Sequence, residues 1–207
     1  MADGRAPVVS GVGLAALVIG ASTLAGSVAG ASGDVIPRWE SRVFRFVNGL
    51  PDALFVPLWV PMQLGNLVVG TLAGMLAALV LGEWRLAVAV VVAVALKLVV
   101  EHLLRRRMAG HLAVRQRPGT SEPGAVLRGG DVPEVGPSFP SGHVILVAAV
   151  TCAVVDLLPG AWGWVLFGLP LLVMVGRVYV GAHNPLDVTA GLGAGLLVGG
   201  LVALVLG

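Results

Sequence analysis

Long apolar segments separated by short polar ones make up most of the chain. They cover residues 8–31, 54–81, 86–104, 142–158, 161–179 and 185–206. A helix that crosses a bilayer needs about 20 apolar residues, and most of these segments approach or exceed that length. The pattern therefore predicts an all-α, polytopic membrane protein, with six transmembrane helices in a bundle and both termini on one side. Pro57 and Pro61 predict a break or kink in the second segment.

Small residues recur at helical spacing in two of these segments. Gly26 and Gly30 stand four residues apart in the first, and Gly191, Gly195 and Gly199 form a stripe in the last. Such spacings let helix backbones approach each other closely inside a membrane. We expect both sets to pack against neighbouring helices, and the same faces could hold together a homo-oligomer.

Residues 34–50, between the first two segments, follow a different pattern. Their apolar positions recur at helical spacing, and charged residues fall between them at Arg38, Glu40, Arg42 and Arg45. This is typical of an amphipathic helix that lies in the membrane interface. An anchor is the simpler interpretation, and a role in guiding a lipid substrate stays open.

Composition supports a membrane protein and excludes several other classes. Of the 207 residues, 57% are hydrophobic and 12% are charged, with a mean hydropathy of +0.96, whereas soluble domains carry roughly 25% charge. The net charge of +2 is too small to suggest a nucleic-acid partner. The single cysteine, Cys152, rules out an internal disulfide. We interpret residues 1–207 as one integral-membrane domain.

The only long polar segment, residues 108–139, ends where a short motif opens an apolar helix. A loop of this length usually carries function. The motif is Pro140-Ser141-Gly142-His143. Free backbone N–H groups at a helix N-terminus bind anions, and a glycine lets the backbone approach a ligand closely. A histidine beside them adds a proton donor or acceptor.

The predicted topology brings two histidines to one side of the membrane, because two spans separate His143 from His183. Arg117 lies in the same loop as Ser141, and Arg177 precedes His183 by six residues. Two arginines can bind a phosphate through paired donors. Two histidines can divide the roles of nucleophile and general acid.

A carboxylate completes this predicted site. Asp187 follows His183 by four residues, close enough to hold one ring nitrogen and fix the tautomer. The sequence shows neither a Cys/His cluster nor a carboxylate pair at metal spacing on this side, so we expect no metal there. Lys97 and Glu101 form an i,i+4 pair within an apolar segment. We interpret them as structural, because Lys97 stands 20 residues before Arg117, about 30 Å of helix.

These motifs resemble the three-part signature of the type 2 phosphatidic acid phosphatase superfamily. Its pattern is Lys-x6-Arg-Pro, then Pro-Ser-Gly-His, then Ser-Arg-x5-His-x3-Asp. The chain matches it with Arg117-Pro118, Pro140-Ser141-Gly142-His143 and Arg177-x5-His183-x3-Asp187. The resemblance covers roughly residues 54–206, since six spans also fit the family.

The resemblance implies metal-independent and cofactor-free hydrolysis of a lipid phosphate or diphosphate. By analogy, His183 attacks phosphorus to give a phosphohistidine, and Asp187 orients it. His143 protonates the leaving oxygen and later activates water. The phosphoryl oxygens are held by Arg117, Ser141, Gly142 and Arg177.

Two positions depart from the family pattern. Gly110 stands where the pattern has its lysine, and Gly176 stands where it has a serine. Losing a phosphate-binding cation matters, because such groups stabilise the charge of a phosphoryl transition state. Arg107, His111 or Arg115 could substitute from a neighbouring turn, and we favour Arg115 or Arg107 on charge.

Arginine placement and the resemblance disagree about which side of the membrane carries the site. Ten of the twelve arginines fall on the predicted active-site side, and only Arg5 and Arg85 on the other. Without Arg117 and Arg177 the balance is still eight to two, which predicts a cytoplasmic site. Many bacterial members of the superfamily work at the outer face, so the side stays open.

The sequence does not identify the lipid tail. A site fed between apolar helices favours membrane lipids as partners and a lipid phosphate as substrate: polyprenyl phosphate or diphosphate, phosphatidic acid, or phosphatidylglycerol phosphate. One alternative is a phosphotransferase that uses the same histidine with an alcohol as acceptor. Another is a transporter or structural membrane protein with a degenerate site, for which Gly110 would be the mark of decay.

Overall fold

A computed structural model describes residues 11–33, 35–108, 115–130, 132–158 and 165–206. Gly110, His111, Asp34 and the start of the predicted fifth span lie outside these ranges. The described residues form helices and no strand: α1 (Gly11–Ala31), α2 (Arg38–Asn48), α3 (Phe55–Met62), α4 (Leu67–Leu81), α5 (Trp84–Met108), α6 (Pro118–Ser121), α7 (Gly142–Val154), α8 (Gly168–Tyr179) and α9 (Pro185–Leu206).

Within the described part of the chain, three helices are long and apolar enough to cross a bilayer, namely α1, α5 and α9. A fourth candidate is the pair Arg38–Asn48 and Asp52–Gly65, which is bent by 81°. The helices Leu67–Leu81, Gly142–Leu157 and Gly168–Tyr179 are apolar but shorter. The all-helical prediction is confirmed for these residues, whereas the six-span count and the interfacial position of α2 stay predictions.

Helix α9 packs tightly against α7 through its glycine stripe. A Cβ atom at Gly191, Gly195 or Gly199 would lie 2.5–2.8 Å from a backbone oxygen of the facing chain. Any side chain there would push the two backbones apart, as the sequence predicted for this stripe. This close packing fixes the start of α7 beside the start of α9.

The glycine prediction for α1 is wrong at one position. A Cβ at Gly26 would meet nothing within 4 Å, whereas one at Gly13 or Gly20 would clash with α9. For Gly20, the obstacle is the backbone oxygen of Gly193 at 2.8 Å. Spacing alone could not tell which face of α1 meets α9.

The predicted break in the second apolar segment lies later than the prolines suggest. Helix α3 continues through Pro61, and the chain then makes a 3-10 turn at Gln63–Gly65. Asn66 caps α4, and its side-chain oxygen accepts from the N–H of Val68 at 3.0 Å. The turn packs on α7, because a Cβ at Gly65 would lie 2.7 Å from the Cβ of His143.

The polar loop is fastened to α2 and α8 by buried hydrogen bonds. The amide of Asn48 donates to the carbonyls of Val126 and Tyr179, each at 2.8 Å, and its oxygen accepts from the N–H of Val126. Arg128 donates to Asp52 at 2.8 Å and stacks 4.3 Å above the Tyr179 ring. These bonds hold the described parts of the loop over the ends of the helices.

Candidate active site

A polar cavity of about 290 Å³ lies where α5, the start of α7 and the polar loop meet. Five of the residues predicted from sequence line it: Arg117, Gly142, His143, Arg177 and His183. Arg117 and His183, 66 positions apart in sequence, thus face the same cavity. The cavity wall also includes Lys97, Glu101 and Arg105 of α5 and the turn at Gly65.

Ser141 lies behind the cavity wall rather than in it. It is the N-cap of α7 and is fully buried. Its N–H donates to the carbonyl of Asp187 at 3.0 Å, and its own carbonyl accepts from Ile145. The Oγ atom is buried and has no hydrogen-bond partner among the described residues. Ser141 therefore joins α7 to α9, and its predicted phosphate contact stays a prediction.

His183 lies in the short turn between α8 and α9. Gly181 enters this turn at φ +78°, in the left-handed region that glycine tolerates best. The imidazole is 3% exposed, and its Nδ1 stands 3.8 Å from Oδ2 of Asp187, longer than a hydrogen bond. Burial lowers the pKa of His183 to about 4, although the Asp187 carboxylate favours the charged ring. The ring is therefore neutral at neutral pH, as a nucleophile requires.

Arg117 ties the polar loop to the same turn. Its Nη1 donates to the carbonyl of Ala182 at 2.9 Å, one residue before His183. Burial lowers the pKa of Arg117, and the charge of Arg105 lowers it further. Arginine stays protonated in proteins, so the cavity holds a fixed positive charge beside His183.

Asp187 belongs to a buried chain of charges that the sequence did not reveal. Arg115 donates through Nε to Oδ1 of Asp187 at 2.7 Å and through Nη2 to Glu40. Glu40 Oε1 also accepts from the N–H of Leu186 at 2.8 Å, and Oδ2 of Asp187 accepts from the N–H of Asn184 at 2.8 Å. Burial disfavours the charge of Arg115, but Asp187 and Glu40 outweigh it and raise its pKa.

This network changes the roles expected for Arg115 and Glu40. Arg115 is buried between two carboxylates and does not line the cavity, so it is not placed to replace the missing lysine. Glu40, which the pattern put on the polar face of an interfacial helix, is 0% exposed. The available signal was that Glu40 is the only acidic residue of α2, among three arginines. The other favoured replacement, Arg107, is exposed at the end of α5 and does not line the cavity.

Lys97 and Glu101 are the largest correction to the expected site. Both line the cavity together with Arg117. The 30 Å separation assumed one continuous helix, whereas α5 ends at Met108 and Arg117 faces the same space as Lys97. In the described ranges, no three His, Cys, Asp or Glu side chains cluster as metal ligands.

Sequence comparisons identify a family over the second part of the chain. A sequence model described as the PAP2 superfamily matches residues 82–207. An undecaprenyl-diphosphatase from Sulfolobus acidocaldarius is 50% identical over 56 residues. That match spans only 26% of this chain and 26% of the relative's own length.

A solved structure shares the fold. Aquifex aeolicus LpxE matches with a TM-score of 0.64 and 22% identity, over 79% of this chain and 93% of that one. A PAP2-type phosphatidylglycerolphosphate phosphatase from Bacillus subtilis matches with a TM-score of 0.47 and 22% identity, over 92% of both chains. The family match and the apolar helices show that the chain is a multi-pass integral membrane protein.

Proposed function

Because the chain belongs to the PAP2 superfamily, we propose that it hydrolyses a phosphate or diphosphate monoester on a membrane lipid, through a phosphohistidine and without a metal ion. One observation carries the proposal most directly. His143 and His183, which come from different helix ends, line a single cavity with two arginines, Arg117 and Arg177. An acid, a nucleophile and two phosphate-binding cations around one space are what phosphoryl transfer needs.

In the first step, a neutral His183 attacks the phosphorus. Its Nδ1 faces Asp187, so Nε2 is the atom left to form the bond. The N–P bond forms while the bond from phosphorus to the leaving oxygen breaks. His143, protonated at the start of this step, gives that oxygen its proton and is left neutral. Arg117, Arg177 and the backbone at Gly142 stabilise the charge on the three equatorial oxygens.

In the second step, His143 takes a proton from a water molecule. The water oxygen attacks phosphorus, the N–P bond breaks, and inorganic phosphate leaves with His183 restored. Asp187 stabilises the imidazole while it carries positive charge, because its carboxylate lies on the Nδ1 side. Arg115 and the N–H of Asn184 hold that carboxylate in place.

A lipid substrate suits the surroundings of the cavity. An apolar cleft of about 190 Å³ lies next to it, between α4, α5 and α7. Leu64 and Gly70 line the cleft, while Gly65, Asn66 and Leu67 line the polar cavity. A ligand with a phosphate at one end and hydrocarbon at the other would satisfy both. Polyprenyl phosphates and diphosphates, phosphatidic acid and phosphatidylglycerol phosphate all have this form.

The test is phosphate release by the purified protein in detergent, from a panel of these lipids, with a chelator present and no alcohol acceptor. His183→Ala should reduce release to background. His143→Ala should reduce it by about 10²–10⁴-fold, the usual contribution of a general acid. His102→Ala is the matched control, because His102 is exposed on α5 and does not line the cavity.

Two further outcomes bear on the mechanism. With His143→Ala and a substrate labelled in its terminal phosphate, label should accumulate on the protein in an acid-labile, base-stable form, as expected for a phosphohistidine. Equal rates in wild type, His183→Ala and His143→Ala would end the proposal. Activity that disappears with the chelator would exclude the metal-free route.

A further inference from the structure

Helix α5 presents a row of three charged side chains to the cavity. Lys97 Nζ lies 2.6 Å from Oε2 of Glu101, and Nη2 of Arg105 lies 2.8 Å from Oε1 of the same carboxylate. The Lys97 residue is only 7% exposed. Ionisable residues buried in a membrane helix are costly and are functional candidates by default. The mechanism above uses none of the three.

The charge of the cavity exceeds what one phosphate needs. Among the described residues of its wall, Lys97, Arg105, Arg117 and Arg177 are cations and Glu101 is the one carboxylate. Counting these five side chains alone, the wall carries three net positive charges. A lipid monophosphate carries about two negative charges above pH 6. A lipid diphosphate carries about one further negative charge, on the phosphate that joins the tail. Its total of about three negative charges equals the net positive charge of the cavity wall.

The position of Lys97 fits that internal phosphate. On α5, Val90 lines the apolar cleft and Lys97, about 10 Å further along the helix, lines the polar cavity. On α7, Val147 lines the cleft and His143 lines the cavity. Lys97 therefore stands on the wall that leads from the hydrocarbon side towards His183, where the phosphate next to the tail would lie.

We propose that Lys97, supported by Arg105, binds the internal phosphate of a lipid diphosphate, and that the chain therefore prefers diphosphates to monophosphates with the same tail. This inference rests on the proposed function. Glu101 holds both cations in place and competes with the substrate for them. In the reaction, His183 takes the terminal phosphoryl group, and the lipid monophosphate leaves with its phosphate still facing Lys97.

The experiment compares farnesyl diphosphate with farnesyl monophosphate as substrates of the full chain in detergent. Lys97→Met should lower kcat/KM about 10- to 100-fold on the diphosphate, the size expected for a charged hydrogen bond. On the monophosphate it should change less than about threefold. Lys97→Arg should restore most of the diphosphate rate, because it restores the positive charge. The matched control is Arg106→Met, which removes one positive charge from the exposed face of the same helix.

A second variant covers the case in which Lys97→Met fails to fold because Glu101 loses a partner. The double variant Lys97→Met with Glu101→Gln removes both members of the buried pair and leaves no unpaired carboxylate. It should show the same loss of preference for the diphosphate. Conversely, Glu101→Gln alone should lower KM for the diphosphate, because both cations are then released.

Three results would overturn the inference. An equal fall on both substrates would mean that Lys97 acts on the transferred phosphoryl group. No fall on either would make the pair structural, and a double variant that keeps the diphosphate preference would exclude the subsite. These results differ from failure of the proposed function, which would appear as full activity of His183→Ala on both substrates.

Discussion

Two charge networks, one behind the cavity and one in its wall, combine carboxylates and cations in opposite ratios. On the α9 side, Glu40, Arg115 and Asp187 form a chain in which Arg115 is sandwiched between two fully buried carboxylates. On the α5 side, one carboxylate, Glu101, lies between two cations, Lys97 and Arg105. The Arg105 side chain is 41% exposed. The first network carries an excess of acid and lies beside the ring of His183. The second carries an excess of base and lines the polar cavity.

Burial explains the different uses. A carboxylate that also accepts from backbone N–H groups, as Glu40 and Asp187 do, has its position fixed by the fold. The two ion pairs given for Glu101 are with side chains of its own helix, and its carboxylate also lies against Gly142 at the start of α7. Neither partner is fixed by a backbone N–H in these pairs, so an anion in the cavity can compete for them. The comparison suggests that one network orients and the other binds. Four measurements can break or sharpen it.

The largest expected effect is on stability, with Arg115→Met. The change leaves two buried carboxylates without their shared cation, which should cost about 3–5 kcal/mol. Lys97→Met should cost much less, because Glu101 keeps Arg105. Unfolding of both variants in the same detergent, followed by tryptophan fluorescence, measures the difference. Equal losses would show that the two networks are equally rigid.

The next effect concerns the turn that supports His143. A Cβ at Gly65 would lie 2.7 Å from the Cβ of His143, so Gly65→Ala should displace the ring. A displacement of about 1 Å can cost about 10²-fold in rate. The matched control is Gly26→Ala, where the added methyl meets nothing within 4 Å. If both alanine variants keep the wild-type kcat, the position of His143 does not limit the reaction.

A smaller effect should follow from Glu40→Gln. Glutamine can still accept from the N–H of Leu186, but it removes one of the two charges that hold Arg115. We expect kcat to fall about tenfold, worth about 1.4 kcal/mol, with KM nearly unchanged. Glu83→Gln, an exposed acid at the start of α5, serves as control. A rise in KM with constant kcat would instead place Glu40 in substrate binding.

The smallest effect is the pH dependence contributed by His183. Burial lowers its pKa from 6.5 to about 4, so between these values the unfolded chain binds a proton that the folded chain does not. Stability should therefore fall as pH drops through this window, by about 1 kcal/mol at pH 5.5. Unfolding of wild type and His183→Gln across pH 4–7 tests it. The free energy of unfolding of wild type, relative to that of His183→Gln, should increase as pH rises through this window. A relative stability that does not change with pH would contradict a lowered pKa.

Motif spacing was sufficient for the centre of the site and insufficient for its surroundings. His143, Arg177 and His183 line one cavity, as their order and spacing along the chain predicted. The six-span count on which that prediction also relied stays a prediction. Glu40 could not be placed in this way, because its partner Arg115 lies in a loop 75 residues further along the chain. Lys97 could not, because spacing along one helix does not show that Arg117 turns back to face the same cavity. The polar residues of a helix that face the protein interior are determined by the neighbouring helices and loops. The sequence of the helix itself does not identify them.

The helix pattern shows the same limit. The stripe of Gly191, Gly195 and Gly199 was predicted correctly because three small residues on one face leave one choice of contact. The prediction for Gly26 was wrong because α1 has glycines on more than one face. Gly13 and Gly20 are the ones that contact α9. The prolines of α3 misplaced the break, since helix geometry tolerates Pro61 and the interruption comes at Gln63–Gly65.

Helix α2 has one face on the outer surface of the protein and the other against the carboxylates beside His183. Trp39, Val43 and Phe46 point outward from it, while Glu40 on its inner side reaches Arg115. A lipid or detergent molecule that contacts these outward side chains would therefore lie one helix away from the carboxylates behind His183. We expect the rate of the proposed reaction to depend on the amphiphile used to extract the protein, so reconstitution into bilayers is a variable of the kinetics rather than a matter of preparation.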